Sequence, residues 1–76
     1  MNTCSTTDLR ILQLNVEGLT RTKRDLIRHL AEDNNVNIIL LQETHSEDEE
    51  KLLIEGFSII DFIPHKQHGL ASYHTH

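Results

Sequence analysis

A carboxylate that directly follows a run of apolar residues is the clearest candidate for chemistry in this sequence. Residues 38–41 are Ile-Ile-Leu-Leu, and Gln42, Glu43, Thr44 and His45 follow them. A short unbroken apolar run, β-branched at its start, predicts a strand that is buried on both faces. Open α/β sheets bind ligands beyond the carboxyl ends of such strands, so Glu43 is predicted to line a binding crevice. The alternative is that Glu43 is only the polar start of a loop.

Asn15 is a second candidate, because it lies near the end of another apolar segment. Residues 9–16 have the composition of a strand, and residues 20–35 have the pattern of a helix. The order strand, helix, strand predicts two parallel strands joined by a right-handed crossover. The carboxyl ends of both strands then share one edge of the sheet, so Asn15 and Glu43 are predicted to lie close together. Alternatively, Asn15 is a turn-forming residue near Gly18.

The predicted helix has a cap, an apolar stripe and an unusual cluster of cations. Thr22 and Asp25 have the spacing of a capping arrangement, and the stripe is formed by Leu26, Ile27, Leu30 and Ala31. Arg21, Lys23 and Arg24 crowd the amino-terminal end, where the helix dipole disfavours positive charge. These three residues are either a solvated cluster or a patch that contacts phosphate.

The second half of the sequence predicts two more strands. Residues 57–63 read as a third strand that ends at Pro64, and residues 70–73 begin a fourth, so the pair is expected to form an antiparallel hairpin. The acidic residues 47–50 lie on a predicted solvated turn and do not converge on one metal ion. His74 and His76 would share a strand face, but two ligands do not complete a tetrahedral zinc site.

Composition narrows the class of protein. The chain has 76 residues, a net charge of −5 and one cysteine, Cys4. This is the size of one small domain, and the charge is not that of an autonomous nucleic-acid binder. A single cysteine excludes an intramolecular disulfide, which favours an intracellular location, cytoplasmic or nuclear. Residues 1–8 are expected to form a flexible tail. No apolar run is long enough for a membrane helix, so no membrane partner is expected.

Four segments together resemble the start of a known superfamily. They are residues 9–19 (Leu-Arg-Ile-Leu-Gln-Leu-Asn-Val-Glu-Gly-Leu), 39–45 (Ile-Leu-Leu-Gln-Glu-Thr-His), 56–60 (Gly-Phe-Ser-Ile-Ile) and 68–73 (His-Gly-Leu-Ala-Ser-Tyr). In this order and spacing they resemble the DNase I-like endonuclease/exonuclease/phosphatase superfamily. The residues of these segments are most similar to those of the endonuclease domain at the amino terminus of non-LTR retrotransposon reverse transcriptases.

The resemblance implies a fold, a cofactor and roles for two residues. The implied fold is α+β with an α/β start: a β-α-β unit and a β-hairpin that form the amino-terminal part of a two-sheet sandwich. The implied activity is cleavage of a DNA phosphodiester that depends on Mg²⁺ or Mn²⁺. Asn15 and Glu43 match the family's catalytic asparagine and glutamate near the metal, and Mg²⁺ commonly takes only one or two carboxylates in proteins.

The departures from the family are as informative as the match. No Asp-x-Asn motif follows the fourth strand, and the Ser-Asp-His ending is absent. His45, His65 and His68 do not match the family's catalytic histidine. Residues 9–76 are therefore expected to be a truncated domain that is inactive alone and self-associates through its uncovered sheet. One alternative is a non-catalytic α/β interaction module that uses its open sheet. The other is the start of a flavodoxin-like domain with a different ligand, but this sequence lacks the glycine-rich loop that nucleotide binding would need after the first strand.

Overall fold

The structure, a computed structural model, describes residues 9–75. The predicted tail, residues 1–8, lies outside the described residues, as does His76. The first half forms β1 (Ile11–Asn15), α1 (Arg21–Asp33) and β2 (Ile38–Gln42). β1 and β2 are parallel, with Ile11 opposite Ile38 and Asn15 opposite Gln42. The prediction of a parallel β-α-β unit is confirmed.

The second half adds a 3₁₀ turn and a hairpin to the same sheet. The 3₁₀ helix covers Glu49–Leu52, and β3 (Phe57–Ile63) and β4 (Leu70–Thr75) pair antiparallel, as predicted. β4 also pairs antiparallel with β2, so the strand order is β1-β2-β4-β3. The described part of the chain is therefore a small mixed α/β domain with one α-helix and a four-stranded sheet, in which β1 and β3 are the edges.

The core lies between one face of the sheet and the two helical segments. Ile27 and Ala31 of α1 and Leu52 of the 3₁₀ helix are buried against the sheet. At its centre, Tyr73 of β4 is fully buried and its hydroxyl donates to the carbonyl oxygen of Leu52 at 2.6 Å. This bond joins the sheet to the 3₁₀ helix. It also gives the buried Tyr73 hydroxyl a hydrogen-bond partner, without which its burial would cost free energy.

The opposite face of the sheet has no covering layer among residues 9–75. Ile39 and Leu41 are at most 1% exposed, whereas Ile38 and Leu40, which point to the other face, are only half-buried. The expectation that the residue 38–41 strand is buried on both faces is therefore wrong. The strands within residues 9–75 form one sheet. The finer expectation of a two-sheet sandwich stays a prediction.

Two details of α1 differ from the sequence-based expectations. The N-cap is Thr20, whose hydroxyl accepts from the Lys23 amide, and not Thr22, which lies inside the helix. Leu26 and Leu30 were expected in the buried stripe, but they remain 65% and 45% exposed. They lie on the side of the helix toward the edge strand β1, where no further strand within residues 9–75 covers them.

Candidate functional site

Asn15 and Glu43 meet at the carboxyl edge of the parallel strands. Asn15 is the last residue of β1, and Glu43 follows the last residue of β2. The side-chain amide of Asn15 donates to Oε2 of Glu43 at 2.5 Å. An ionised carboxylate only accepts hydrogen bonds, so the amide nitrogen of Asn15 must be the atom that faces it. The structure thus brings these two sequence-predicted residues together on one rim.

Two loops hold the segment that carries Glu43. The loop after β1 binds its backbone, because Gly18 donates to the carbonyl of Glu43 at 2.8 Å and Leu19 to that of Thr44 at 3.0 Å. The β3–β4 turn binds it from the other side, where the His45 amide donates to the carbonyl of His68 at 2.6 Å. Backbone bonds on both sides fix the rim, so the carboxylate is positioned by the fold rather than by a mobile loop.

The backbone of the rim is strained at the residue that carries the carboxylate. Glu43 has a φ of 55°, and so does His45, in the left-handed region that residues with a Cβ rarely adopt. Thr44 between them turns inward and is only 1% exposed. Non-glycine residues in this region cost on the order of 1–3 kcal/mol each, and such strain is concentrated at functional sites. The strain is compatible with a positioned side chain at residue 43.

Gly69 allows the β3–β4 turn to approach this segment closely. Its φ is +105°, and a Cβ there would lie 2.6 Å from Oγ1 of Thr44 and 3.1 Å from the carbonyl oxygen of Ile63. Among the described residues, no partner bonds the buried hydroxyl of Thr44. A larger side chain at residue 69 would push the turn away from the rim.

His68 is a neighbour of Glu43 that the sequence did not predict. Its Nδ1 lies 3.6 Å from Oε1 of Glu43, and its ring centroid is 5.1 Å from that of His65. The antiparallel pairing of β4 with β2 is responsible, since it places the start of β4 beside the end of β2. The sequence predicted the β3–β4 hairpin, but it did not predict that β4 would pair with β2. The side chain of His68 is 68% exposed, so solvent reaches most of the imidazole beside the carboxylate.

The three cations predicted as a phosphate patch are separated by the fold. Lys23 lines the same groove as Asn15 and donates from Nζ to the carbonyl oxygen of Val16 at 2.6 Å. Arg24 donates to the carbonyl oxygen of Leu53 at 3.1 Å, and Arg21 lines the same groove as Arg24 there. Of the three, Lys23 is the one that shares a groove with the Asn15 side of the rim.

The donor set at the rim fits a weakly held hard cation. One carboxylate, which is about one-third exposed, and one amide supply oxygen atoms, the ligand type that Mg²⁺ and Mn²⁺ prefer. Within residues 9–75 no group of three or more His, Cys, Asp or Glu side chains is arranged to hold a metal. A divalent ion here would therefore keep most of its water ligands.

No protein-family model matches the chain, and no curated protein matches it significantly. The resemblance to the DNase I-like superfamily accordingly depends on the sequence segments quoted above. None of the helices within residues 9–75 has the length and apolar character needed to cross a bilayer.

Proposed function

We propose that the rim formed by Asn15 and Glu43 is the metal- and phosphate-binding part of a magnesium-dependent phosphodiester-cleaving site of the DNase I-like, retrotransposon type. The observation that supports the proposal is the contact between the two side chains at the shared carboxyl edge of β1 and β2. The parent domain would act on DNA, and this chain, as the amino-terminal part of such a domain, would bind the ion without efficient cleavage.

Each residue would contribute a distinct interaction. The carboxylate of Glu43 would ligate Mg²⁺ or Mn²⁺, and the bound ion would supply charge neutralisation at the scissile phosphate. The amide of Asn15 donates to Oε2 of Glu43 and thereby orients the carboxylate. It adds no negative charge that would repel a phosphate. Lys23, in the same groove, would lie on the side from which a phosphate approaches.

Cleavage needs more than the ion. Hydrolysis requires a group that takes a proton from water, and a positioned base typically contributes about 10²–10⁴-fold to the rate. His68 lies 3.6 Å from Glu43 and is mostly exposed, so it lacks the fixed geometry of such a base. We therefore assign the chain metal and phosphate binding, with cleavage near the uncatalysed level.

The test is titration with Mn²⁺, followed by the paramagnetic broadening of backbone amide signals in NMR spectra. We expect selective broadening at residues 14–16 and 42–45 in the wild-type chain. Glu43→Gln keeps the size of the side chain but removes its charge, so broadening at the rim should disappear. Glu47→Gln, in the neighbouring exposed acidic segment, is the matched control and should leave the rim signals responsive.

Equal broadening in wild type and Glu43→Gln would remove Glu43 from the metal-binding role. The same pair of proteins can be incubated with supercoiled plasmid DNA and Mg²⁺. We expect nicking no faster than in buffer for both proteins. Nicking by wild type that Glu43→Gln abolishes would show that the chain holds a complete site.

The open face of the sheet favours a second candidate, a non-catalytic interaction module. Leu40, Ile63 and Leu70 line a shallow apolar depression on the sheet, and Gln13 and Ser72 border it. A partner chain seated there would be held by sheet contacts away from the rim. Its binding would be unchanged by Glu43→Gln and by a chelator, whereas metal-dependent DNA binding would be lost under both.

A further inference from the structure

The two edges of the sheet differ in how they are protected against pairing with another strand. β3 carries an irregularity between Ile59 and Asp61, an exposed charge at Asp61, and Pro64 directly after the strand. Bulges, charges and prolines are the usual devices that prevent edge pairing. β1, Ile-Leu-Gln-Leu-Asn, contains none of them. Among the described strands, β1 is thus the edge open to a further strand.

The pairing of β1 with β2 decides which backbone groups remain available. Val16 donates to the carbonyl of Gln42 at 3.0 Å, and the carbonyl of Arg10 accepts from Ile38 at 3.2 Å, so even-numbered residues face β2. Backbone direction alternates along a strand. The amide and carbonyl groups of Ile11, Gln13 and Asn15 therefore point away from the sheet.

Apolar side chains overhang the same edge. Leu26 and Leu30 of α1 are 65% and 45% exposed, although they lie on the side of the helix that faces β1. Leu26 lines a groove with Leu14, and Leu30 lines one with Leu12. The open backbone and the uncovered leucines thus form one surface, the β1 edge, made of β1, Leu26 and Leu30.

We propose that a second copy of this chain occupies the β1 edge, with the two β1 strands antiparallel about a two-fold axis at Gln13. In this register Gln13 is opposite Gln13 of the second copy, and Ile11 is opposite Asn15 of the second copy. Each of these residue pairs exchanges both hydrogen bonds, as the hydrogen-bonded sites of an antiparallel ladder do. All the outward groups of Ile11, Gln13 and Asn15 are then satisfied, and the interface is self-complementary, as in a two-fold dimer.

The geometry of the helices suits this pairing. A helix that connects two adjacent parallel strands lies over the pair, so the two copies of α1 would be about 10 Å apart, or twice the strand spacing. Packed helices are separated by about 8–10 Å. Because the strands run in opposite directions, Leu26 of one copy would lie beside Leu30 of the other. The leucines that one copy leaves exposed would thereby become buried.

Charge is complementary in the same register. Arg10 of one copy is opposite Val16 of the second copy, so it lies next to Glu17 of the second copy. Both Arg10 and Glu17 are exposed. The two-fold axis repeats this contact at the other end of the strand. The open sheet face is less suitable for a second copy, because Gln13, Asp61 and Ser72 interrupt its apolar residues. This places self-association at the edge of the sheet rather than on its uncovered face.

The first test is sedimentation velocity of the 76-residue chain across a range of protein concentrations. We expect a monomer–dimer equilibrium with no larger species, since the described part of each copy has one such edge. The double variant Leu26→Glu/Leu30→Glu should raise the dimer dissociation constant by at least about a hundredfold. Leu53→Glu, at a residue that is 55% exposed away from β1, is the matched control and should dimerise like the wild type.

The second test uses cross-linking and requires no change to the helix. Opposed residues at a hydrogen-bonded antiparallel site have Cα atoms about 5.5 Å apart, within the range of a disulfide. With Cys4 replaced by Ser, Gln13→Cys should form a disulfide-linked dimer faster than Ile60→Cys, which places the thiol on the β3 edge. Cross-linking decides where the two tests disagree. A chain that is monomeric throughout, or equal cross-linking at residues 13 and 60, overturns the proposal.

Discussion

At the scale of single residues, Glu43 and Tyr73 differ in how the fold places their ionisable side chains. Glu43 has a left-handed backbone and a carboxylate that is one-third exposed, and its hydrogen bonds keep it in that conformation. Tyr73 is fully buried with its hydroxyl bonded to Leu52. Burial raises the pKa of Tyr73 above its usual range, and the nearby charge of Arg24 partly offsets this. The first residue presents a charge to solvent, while the second excludes one from the core.

The raised pKa of Tyr73 predicts a loss of stability in alkali. A group whose pKa is higher in the folded state stabilises the fold fully below its unfolded pKa of 10.0, and that contribution is lost as the pH rises further. We expect the free energy of unfolding to fall above pH 10 by up to about 1.4 kcal/mol per pH unit. Denaturant titrations at a series of pH values measure this slope.

Tyr73→Phe is the control for that slope. At neutral pH it should cost about 1–2 kcal/mol, because the buried carbonyl of Leu52 loses its donor. Above pH 10 its stability should decline less steeply than that of the wild type. Parallel curves for the two proteins would show that other groups cause the alkaline loss.

At the scale of elements, α1 is the helix that positions the rim. It connects the end of β1 to the start of β2 and thereby makes the two strands parallel. Its first turn contains no acidic residue, and Lys23 instead donates to the carbonyl oxygen of Val16 in the loop before the helix. The hydroxyl of Thr20 caps the same turn. The amino-terminal end of α1 is therefore anchored to the loop that also binds the backbone of Glu43.

Thr20→Ala is expected to destabilise the domain by about 1 kcal/mol, because the Lys23 amide loses the hydroxyl that accepts its hydrogen bond. Thr22→Ala removes the same hydroxyl from a position inside the helix, where alanine is favoured. The free energy of unfolding in urea should therefore fall for the first variant and stay equal or rise for the second. The reverse order would mean that the helix begins two residues later.

At the scale of the whole molecule, the described part of the chain is stabilised by one sheet with one covered face. The buried residues of the described core come from α1, the 3₁₀ helix, the covered face of the sheet and the segments that join them. A domain of this size buries only about 60% of the surface that its unfolded chain exposes, so its stability is marginal. Burial of the β1 edge between two copies would add apolar contacts to those that the described residues of one copy make.

The dimer predicts that thermal stability depends on protein concentration. Any partner that binds only the folded chain raises the unfolding temperature by mass action. We expect the unfolding midpoint of the wild type to increase with concentration in circular dichroism melts. Leu26→Glu/Leu30→Glu should melt at the same temperature at every concentration. A wild-type midpoint that does not change with concentration would contradict this expectation.

Local patterns were sufficient to predict the elements and the proximity of the two candidate residues. The apolar run of residues 38–41 predicted β2, and the long crossover predicted that Asn15 and Glu43 share an edge. The functional roles of the two residues stay predictions. The position of His68 beside Glu43 could not be read from the same patterns. It depends on β4 pairing with β2, a contact between residues that are far apart in the chain.

The sequence by itself determined the types and order of the elements, because hydrogen bonding and side-chain periodicity within a helix or strand involve residues only a few positions apart. Only the tertiary structure decided which surfaces are covered. It left Ile38 and Leu40 half-buried, exposed Leu26 and Leu30 at an edge, and separated Arg21 and Arg24 from Lys23. Burial depends on what packs against a residue from elsewhere in the chain, and an apolar pattern specifies a face without specifying its partner.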